Sequence, residues 1–420
     1  MTFKQLLGQF LDLDERTFVV SLFIFALCSR FLFMFLFWGI NSPPVDDGID
    51  YHRLAHNLVE TGSFSGKTGI TARRPPLYPY FISWWYYFFG PRTNVIRIIQ
   101  AIMNSGLVLL IFLVAKILYG RAVAVLAGIL AAFYPVFIFL PSRFLTENLF
   151  TLILLLGLWY LLHHWEGGII HYGIGGALLG LAILCRPVLL LAPPFILWWL
   201  YSLSPGIWPM MKRFVILMTG MIIIILPWSI RNYLVFETFV PVTTNAGLTF
   251  LHDNNPYLKD MGWAGPQNRI FRPELINPDF TLKNTHWRSL NEAQQDKMFF
   301  RHTWHWIGQN PLEFIKLLPR KMISFLNYRQ GSNTREVQST LMDLVGFLSF
   351  GLLLPFMAIG FGWTLKFEHP RQRLLHAIII TFFCSVLIYS GSVRLRVPVE
   401  PYLLIFASYT IIRWQRIQRQ

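Results

Sequence analysis

Apolar runs of about 18 or more residues alternate along the chain with short polar junctions. They predict spans near 17–39, 94–118, 121–140, 143–164, 170–185, 187–203, 214–231, 339–363, 373–391 and 397–413. Runs this long exclude an outer-membrane barrel, whose strands alternate in polarity over about ten residues. Before the first span, Phe3, Leu6, Leu7, Phe10 and Leu11 recur at helical spacing and predict a short interfacial helix. The segment 77–89 is apolar but too short to cross a bilayer, which predicts a re-entrant or interfacial helix. Two long intervals, 40–93 and 232–338, separate groups of spans. Residues 298–326 in the second are aromatic and amphipathic, and Asn310-Pro311 divides them into two predicted helices. No internal repeat suggests a transporter with inverted halves. The pattern predicts an all-α polytopic membrane protein, one integral domain over 1–420, with about ten transmembrane helices and two large loops bearing amphipathic helices.

Composition agrees: 54% of residues are hydrophobic and 14% charged, against about 25% charged in soluble domains. The net charge of +15 raises the question of nucleic acid, but the cations do not form one stripe. Lys4, Arg16, Lys116, Arg121, Lys212, Arg213, Lys366, Arg371, Arg373, Arg413, Arg416 and Arg419 fall in the tails and short junctions of one face. By the positive-inside rule that face, with both termini, is cytoplasmic, and the long loops lie on the extracytoplasmic side. Nucleic acid is therefore not an expected partner, and membrane lipids are. Met1–Arg16 holds no apolar core or cleavage site, so the first span is expected to be retained. Cys28, Cys185 and Cys384 are far apart in or beside spans, with neither a disulfide framework nor metal spacing.

Acids are scarce, yet Asp46, Asp47 and Asp50 cluster just after the first span. Tyr51, Leu54, Ala55, Leu58 and Val59 define an apolar helical stripe that starts beside them. Asp47 as helix cap with Asp50 three residues on resembles a capping box, worth about 1 kcal/mol; catalysis is the alternative. Arg73 and Arg74 precede Pro75-Pro76, and either snorkel to headgroups or complement a phosphate or the nearby aspartates. Glu147 stands about one turn inside the span 143–164, where Ser142 or Thr146 is the candidate cap and Arg143 a candidate partner. Arg186, Arg231, Arg394 and Arg396 mark extracytoplasmic span ends, where arginines are expected to be rare. Guanidinium forks at the edge of a low-dielectric region suit a phosphate, while pairing with Glu147, Glu400 or headgroups is the structural alternative. Arg30, inside the first span, reads as snorkelling outward. His52 and His56 have the i, i+4 spacing of metal ligands but lack a third partner, and His302 and His305 read as interfacial. No glycine-rich phosphate loop, Ser-His-Asp order or paired-cysteine motif is present.

Asp47 followed by Tyr51 and Ala55, then "LVETGSFS" and "RRPPLYPYF", resembles the first extracytoplasmic loop of GT-C glycosyltransferases. The likeness is to the bacterial branch of protein O-mannosyltransferases and the lipid A aminoarabinose transferase. It continues in order through "LTENLFTLILLLGLWYL", "AILCRPVLLLAPP", "PWSIRNYLVFETFVPVTTNAGLTFLHDNNP", "NPLEFIKLLPRK" and "RLRVPVEPYLLI". The resemblance implies an enzyme of the bacterial inner membrane, with its active site on the extracytoplasmic side. It would transfer a sugar from a polyprenyl-phosphate-sugar donor to a hydroxyl on protein, lipid or polysaccharide. On this reading Asp47 is the catalytic base and Glu147 lines the sugar site or assists. Asp46, Tyr51, Arg73, Arg74, Arg186, Arg231, Asn232, Arg394 and Arg396 are expected to bind substrate. Some relatives carry Asp-Glu where this chain has Asp47-Gly48, which implies that a second neighbouring acid has moved to Asp46 or been lost. No cofactor is expected, and no metal, since the acids do not form a clear ligand set.

Three other readings compete. An O-antigen-type polymerase or ligase would not need the Asp47 frame, and a flippase of lipid-linked anionic sugars would need arginines but no chemically active acid. A catalytically silent assembly subunit of GT-C shape is the third.

Overall fold

In a computed structural model, residues 3–255, 289–328, 343–367 and 370–418 are described. Much of the second long loop (256–288 and 329–338) and the start of the span predicted at 339 lie outside them. Among the described residues the fold is α-helical, with one two-residue antiparallel ladder pairing Ser65 with Ile70 and Gly66 with Gly69.

Within the described residues each predicted span is largely helical, and the ends of several show what sets them. Helix α1 (Phe3–Asp12) is the expected short N-terminal helix. Asp14 caps α2 (Glu15–Phe33) through the amides of Arg16 and Thr17, and a π-helical turn extends it to Trp38. The first long loop contains α3 (Asp47–Thr61), ended by left-handed Gly62, and α4 (Leu77–Phe89), the short apolar segment. Tyr78, Ile82 and Tyr86 of α4 face the core, while Trp84, Tyr87 and Phe88 are exposed. Then come α5 (Thr93–Tyr119), α6 (Arg121–Phe133) and α7 (Pro135–Phe139). The span predicted at 121–140 is bent by 53° at Tyr134-Pro135, because proline cannot donate to the preceding turn. Helices α8 (Glu147–His163) and α9 (Ile169–Cys185) follow, then a 3₁₀ turn at Pro187–Leu191 and α10 (Pro193–Leu203). Helix α11 (Ile207–Phe236) is longer than its predicted 214–231 and contains Pro227. The second long loop contributes α12 (Ala246–His252), α13 (Glu292–Gln309) and α14 (Pro311–Leu326), the last two divided at Asn310 as expected. Helices α15 (Leu354–Phe367), α16 (Arg373–Ile388), α17 (Val393–Arg396) and α18 (Glu400–Ile417) complete the fold.

Length and apolarity qualify five described helices to cross a membrane, or six with the bent pair; α8 and α9 are shorter apolar helices. The chain is thus a multi-pass helical protein.

Two expectations fail. Arg30 does not snorkel: it is fully buried, with Nε donating to Asn104 Oδ1 (3.1 Å) and Nη1 to the carbonyls of Ala26 (3.0 Å) and Ala132 (2.9 Å). The bend at Tyr134-Pro135 offers carbonyls at the end of α6, and a guanidinium is satisfied there without leaving the bundle. Nor does the span at 143–164 begin at Arg143. Residues 143–146 precede the helix and Glu147 is its first residue, with no side-chain cap from Ser142 or Thr146.

That junction is held by a polar stripe on α5. Arg97, Gln100 and Asn104 are spaced i, i+3, i+7, hence on one face. Arg97 donates to Ser142 O (2.9 Å) and Ile40 O (2.7 Å), and Gln100 to Pro141 O (3.0 Å) and Arg143 O (2.9 Å). Asn104 donates to Asn148 Oδ1 (3.0 Å), and Asn148 to Leu140 O (3.0 Å). Buried away from water, such backbone carbonyls must be met by protein groups, so the stripe fixes where α8 starts.

Elsewhere the spans pack through small residues. A Cβ on Gly176 of α9 would lie 2.0 Å from Leu217 O, and one on Gly220 of α11 would lie 2.2 Å from Gly173 O. The close approach of α9 and α11 therefore depends on glycine, as membrane helix pairs commonly do. Gly220→Val is expected to lower the detergent-solubilised protein's stability by about 3 kcal/mol through overpacking. Gly106→Ala, where a Cβ meets nothing within 4 Å, is expected to be neutral or mildly stabilising by helix propensity. Thermal unfolding of the two variants beside the parent checks both.

Candidate active site

The acid cluster at the start of α3 does not form a capping box. Asp46, not Asp47, is the N-cap residue; its side chain caps nothing, and its φ of 51° is unusual for a residue with a Cβ. Asp47 and Asp50 turn away from the helix amides toward cations. Arg74 Nη2 donates to Asp47 Oδ1 (2.7 Å) and Asp50 Oδ2 (2.9 Å), while Arg53 pairs with Asp50 at 3.2 Å. A charged partner wins because a carboxylate gains more from a guanidinium than from a neutral amide.

Arg394, on α17 and far away in sequence, donates through Nη1 to Asp47 Oδ2 and through Nε to Glu147 Oε1. Glu147 is fully buried and also meets Arg186 Nη1 at 2.8 Å. This last contact lacks hydrogen-bond alignment, so Arg186 Nη1 keeps a buried N–H free of a proper acceptor. The result is one alternating chain: Arg53, Asp50, Arg74, Asp47, Arg394, Glu147, Arg186. It begins and ends on arginine, and four guanidinium groups outnumber three carboxylates by one charge.

Electrostatics follow from this wiring. Partial burial pushes the Asp47 carboxyl up, but Arg394 and Arg74 more than offset it and hold it well below the usual carboxylate range. Tyr51 forms the floor: its ring lies 5.4 Å from the Arg74 guanidinium carbon and packs edge-on against Tyr78 at 5.1 Å. Tyr78 in turn donates to Gln100 Oε1 (2.7 Å), connecting this floor to the α5 stripe. Burial raises the Tyr51 hydroxyl above its ordinary value.

Gly48 shows why no second acid follows Asp47. A Cβ there would lie 2.9 Å from Phe144 Cβ and 3.3 Å from its carbonyl. Asp46 is largely exposed and pairs with Arg143 (2.6 Å), itself set over the rings of Trp38 and Phe139. Arg143 thus goes to Asp46 rather than to Glu147.

Other predicted substrate ligands stand outside the chain of ion pairs. Arg73 turns toward α13, with Nε 3.3 Å from Glu292 Oε1 and Nη2 donating to Gln295 Oε1 (3.4 Å). Arg231 donates to Thr71 O (3.0 Å) and packs over Trp228. Asn232 is buried and donates to Val240 O (3.1 Å) and Val242 O (3.4 Å). Arg396 is buried on Glu400 Oε1 (2.9 Å), Phe325 O (3.1 Å) and Asn327 O (2.6 Å). Of the four junction arginines, only Arg186 and Arg394 converge. The others are drawn to nearby carbonyls that need donors, a demand invisible in sequence. Among the described residues no group of three His, Cys, Asp or Glu could hold a metal ion. His52 instead shares a hydrogen bond with Tyr86 Oη (2.8 Å).

Glu292, which sequence reasoning missed, joins the two long loops. Its carboxylate accepts from Thr71 Oγ1 (2.7 Å), Ala72 N (3.0 Å) and Thr244 Oγ1 (3.1 Å), besides Arg73. Thr244 N also donates to Ala72 O (3.0 Å). The only sequence signal was an acid at the start of an amphipathic helix behind a capping asparagine, which reads as ordinary helix chemistry.

Residues 73–230 match the family model for dolichyl-phosphate-mannose-protein mannosyltransferase. A search of curated proteins finds no match. The oligosaccharyltransferase of Archaeoglobus fulgidus in its apo form is similar in structure, with TM-score 0.58 and 14% identity over 94% of this chain and 50% of that one. Its complex with an inhibitory peptide and a dolichol-phosphate gives TM-score 0.56 at 14% identity, over 94% and 50%. ArnT from Cupriavidus metallidurans bound to undecaprenyl phosphate gives TM-score 0.46 at 14% identity, over 95% and 79%. The chain thus has the expected GT-C fold and spans about half the length of the archaeal enzyme.

Glu292→Ala would remove a mostly buried carboxylate from three neutral donors and one cation. The expected loss is about 3 kcal/mol, in the range of hydrogen bonds to charged groups, read as a lower unfolding midpoint in detergent. Arg73→Ala, which removes only the exposed partner, should cost under about 1 kcal/mol in the same measurement.

Proposed function

We propose that the chain is a membrane glycosyltransferase that takes a sugar from a polyprenyl-phosphate-sugar donor and gives it to an acceptor hydroxyl. The observation that carries this reading is the alternating ion-pair chain with one surplus positive charge. A sugar linked to a lipid through one phosphate is a phosphodiester with a single negative charge, which matches that surplus. A likeness of fold to an enzyme solved with dolichol-phosphate, and the match of 73–230 to a dolichyl-phosphate-mannose-dependent family, support the same donor class. The active site faces the extracytoplasmic side of a bacterial inner membrane, with both termini in the cytoplasm, as the distribution of basic residues favours.

The residues divide the work as follows. The donor phosphate lies against Arg394 and Arg186, whose buried Nη1 lacks a hydrogen-bond acceptor beside Glu147. Phosphate oxygens compete with the two carboxylates for Arg394, and that competition frees Asp47 to act as base. Asp47 takes the proton of the acceptor hydroxyl, whose oxygen attacks the anomeric carbon. The bond from that carbon to the phosphate oxygen breaks, and its electron pair leaves with the lipid phosphate, stabilised by fixed guanidinium groups. Inversion at the anomeric carbon follows from direct displacement. Glu147 holds Arg394 and Arg186 in place beneath the donor. Tyr51 supports Arg74, and the exposed aromatic face of α4 lies toward lipid.

The decisive test gives purified protein a panel of radiolabelled polyprenyl-phosphate sugars, hexoses and pentoses alike, scored for hydrolysis or transfer. Release of polyprenyl phosphate is expected with at least one donor; no turnover with any would sink the reading. Asp47→Asn should then lower transfer about 10²–10⁴-fold, the usual size of general-base catalysis. Substrate translocation without release of polyprenyl phosphate would point to a flippase.

The pH dependence has a definite sign. A base works deprotonated, and the two arginines hold the Asp47 carboxyl low, so kcat/KM, which reports free enzyme, should stay level from neutral pH down through the ordinary carboxylate range. Arg74→Gln removes one of the cations that lower it, so the acidic limb should appear at higher pH. An unmoved limb would exclude Asp47 as the base.

A further inference from the structure

Arg394 connects Asp47 to Glu147, yet it lies on α17, a helix of four residues reached through the irregular residues 389–392. One turn of helix does not hold itself in place. The contacts that hold it come largely from α14, the amphipathic helix of the second long loop. Lys321 of α14 is buried, and its Nζ donates to Leu387 O (3.1 Å) and Ile388 O (3.3 Å), the last carbonyls of α16, and to Asn254 Oδ1 (2.7 Å). A cation there satisfies the open end of α16 and suits its dipole. Ser324 Oγ of α14 donates to Gly391 O (2.7 Å). A Cβ on Gly391 would lie 2.1 Å from Lys321 O, so the chain passes α14 at a distance only glycine allows. Arg396 completes the arrangement in the opposite sense, meeting the carbonyls of Phe325 and Asn327 where α14 ends. Each helix end is thus capped by a cation from the other element.

We propose that Lys321, Gly391 and Arg396 are positioning residues: a reciprocal clamp between α14 and the α16–α17 junction holds Arg394 in register with Asp47 and Glu147. Arg396, expected from sequence to bind phosphate, acts through Arg394 instead. The proposal depends on the glycosyltransferase reading only for its catalytic consequence, since the placement of Arg394 is measurable without any donor.

The test uses the full-length protein in detergent with Asp47→Cys as reporter. Alkylation by a water-soluble maleimide is followed against pH, and the same chain without the reporter supplies the background from Cys28, Cys185 and Cys384. The groups facing position 47 are Arg394, Arg74, Tyr51, Glu147 and Asp50. Arg394 and Arg74 favour the thiolate, so the reporter should titrate below a free thiol. Arg394→Gln, Lys321→Met and Gly391→Ala should each shift the titration upward in the same direction. One pH unit corresponds to a tenfold lower thiolate fraction on the acidic side. Lys321→Arg, which keeps a cation at the α16 carbonyls, should restore most of the parent titration. Ser324→Ala, a milder change that does not threaten folding, should give a smaller upward shift. If Arg394→Gln moves the titration while the Lys321, Gly391 and Ser324 variants lose only thermal stability, the clamp is structural and the proposal fails. If Arg394→Gln itself leaves the titration unmoved, Arg394 is not beside Asp47 and the proposal fails as well. Donor turnover plays no part in either outcome, so a failure of the activity reading is seen separately.

Discussion

A carboxylate buried at the first residue of a membrane helix must be neutralised, and Glu147 is neutralised by two guanidinium groups from separate parts of the chain. Much of the site follows from that constraint. Glu147 is fully buried, where an unpaired charge costs several kcal/mol, a large share of a domain's net stability. Arg186 comes from the end of α9 and Arg394 from beyond α16, so the one acid draws separate spans to a single point. Because Arg394 has donors to spare, it also takes Asp47, and through Arg74 the pairing extends to Asp50.

Such a chain is stable yet easily exchanged. Each ion pair within it is made with a neighbour that has a second partner, so an entering anion displaces one contact without leaving a charge bare. The surplus guanidinium makes anions more welcome than cations. Rigidity comes from around the chain instead. The α5 stripe fixes the start of α8, Glu292 fixes the loop that carries Arg74, and α14 fixes the short helix that carries Arg394. Three supports from three parts of the sequence thus surround side chains that, on the proposed function, yield to substrate.

Legibility from sequence divided along physical lines. Helices were readable because a bilayer demands long apolar runs; α4 was readable as a run too short to span, and the break at Asn310 because Asn-Pro ends one helix and starts the next. The bend at Pro135 was missed as a break, although proline signals it, because the apolar run continues through it. Asp47, Glu147, Arg186 and Arg394 stood out as charges at the edges of apolar segments, a setting in which charge is costly. Arg231 and Arg396 gave the same signal but serve backbone carbonyls, since an arginine meeting a helix end and one meeting a ligand look alike in one dimension. Arg30 was misread for that reason too. Glu292 and Lys321 were hidden by amphipathic helices in which charges are expected.

By itself, then, the sequence determined the helical, membrane-spanning character of the chain, because hydrophobic length acts locally and needs no partner. It also determined which segments carry unusual charge. Only the tertiary structure decided which charges meet. Asp47 and Glu147 are one hundred positions apart and Arg394 lies further still, so their pairing rests on helix packing that no local pattern encodes. The same packing decided that Gly48 leaves no room for a second acid, and that three of the expected arginines hold the scaffold rather than the ion-pair chain.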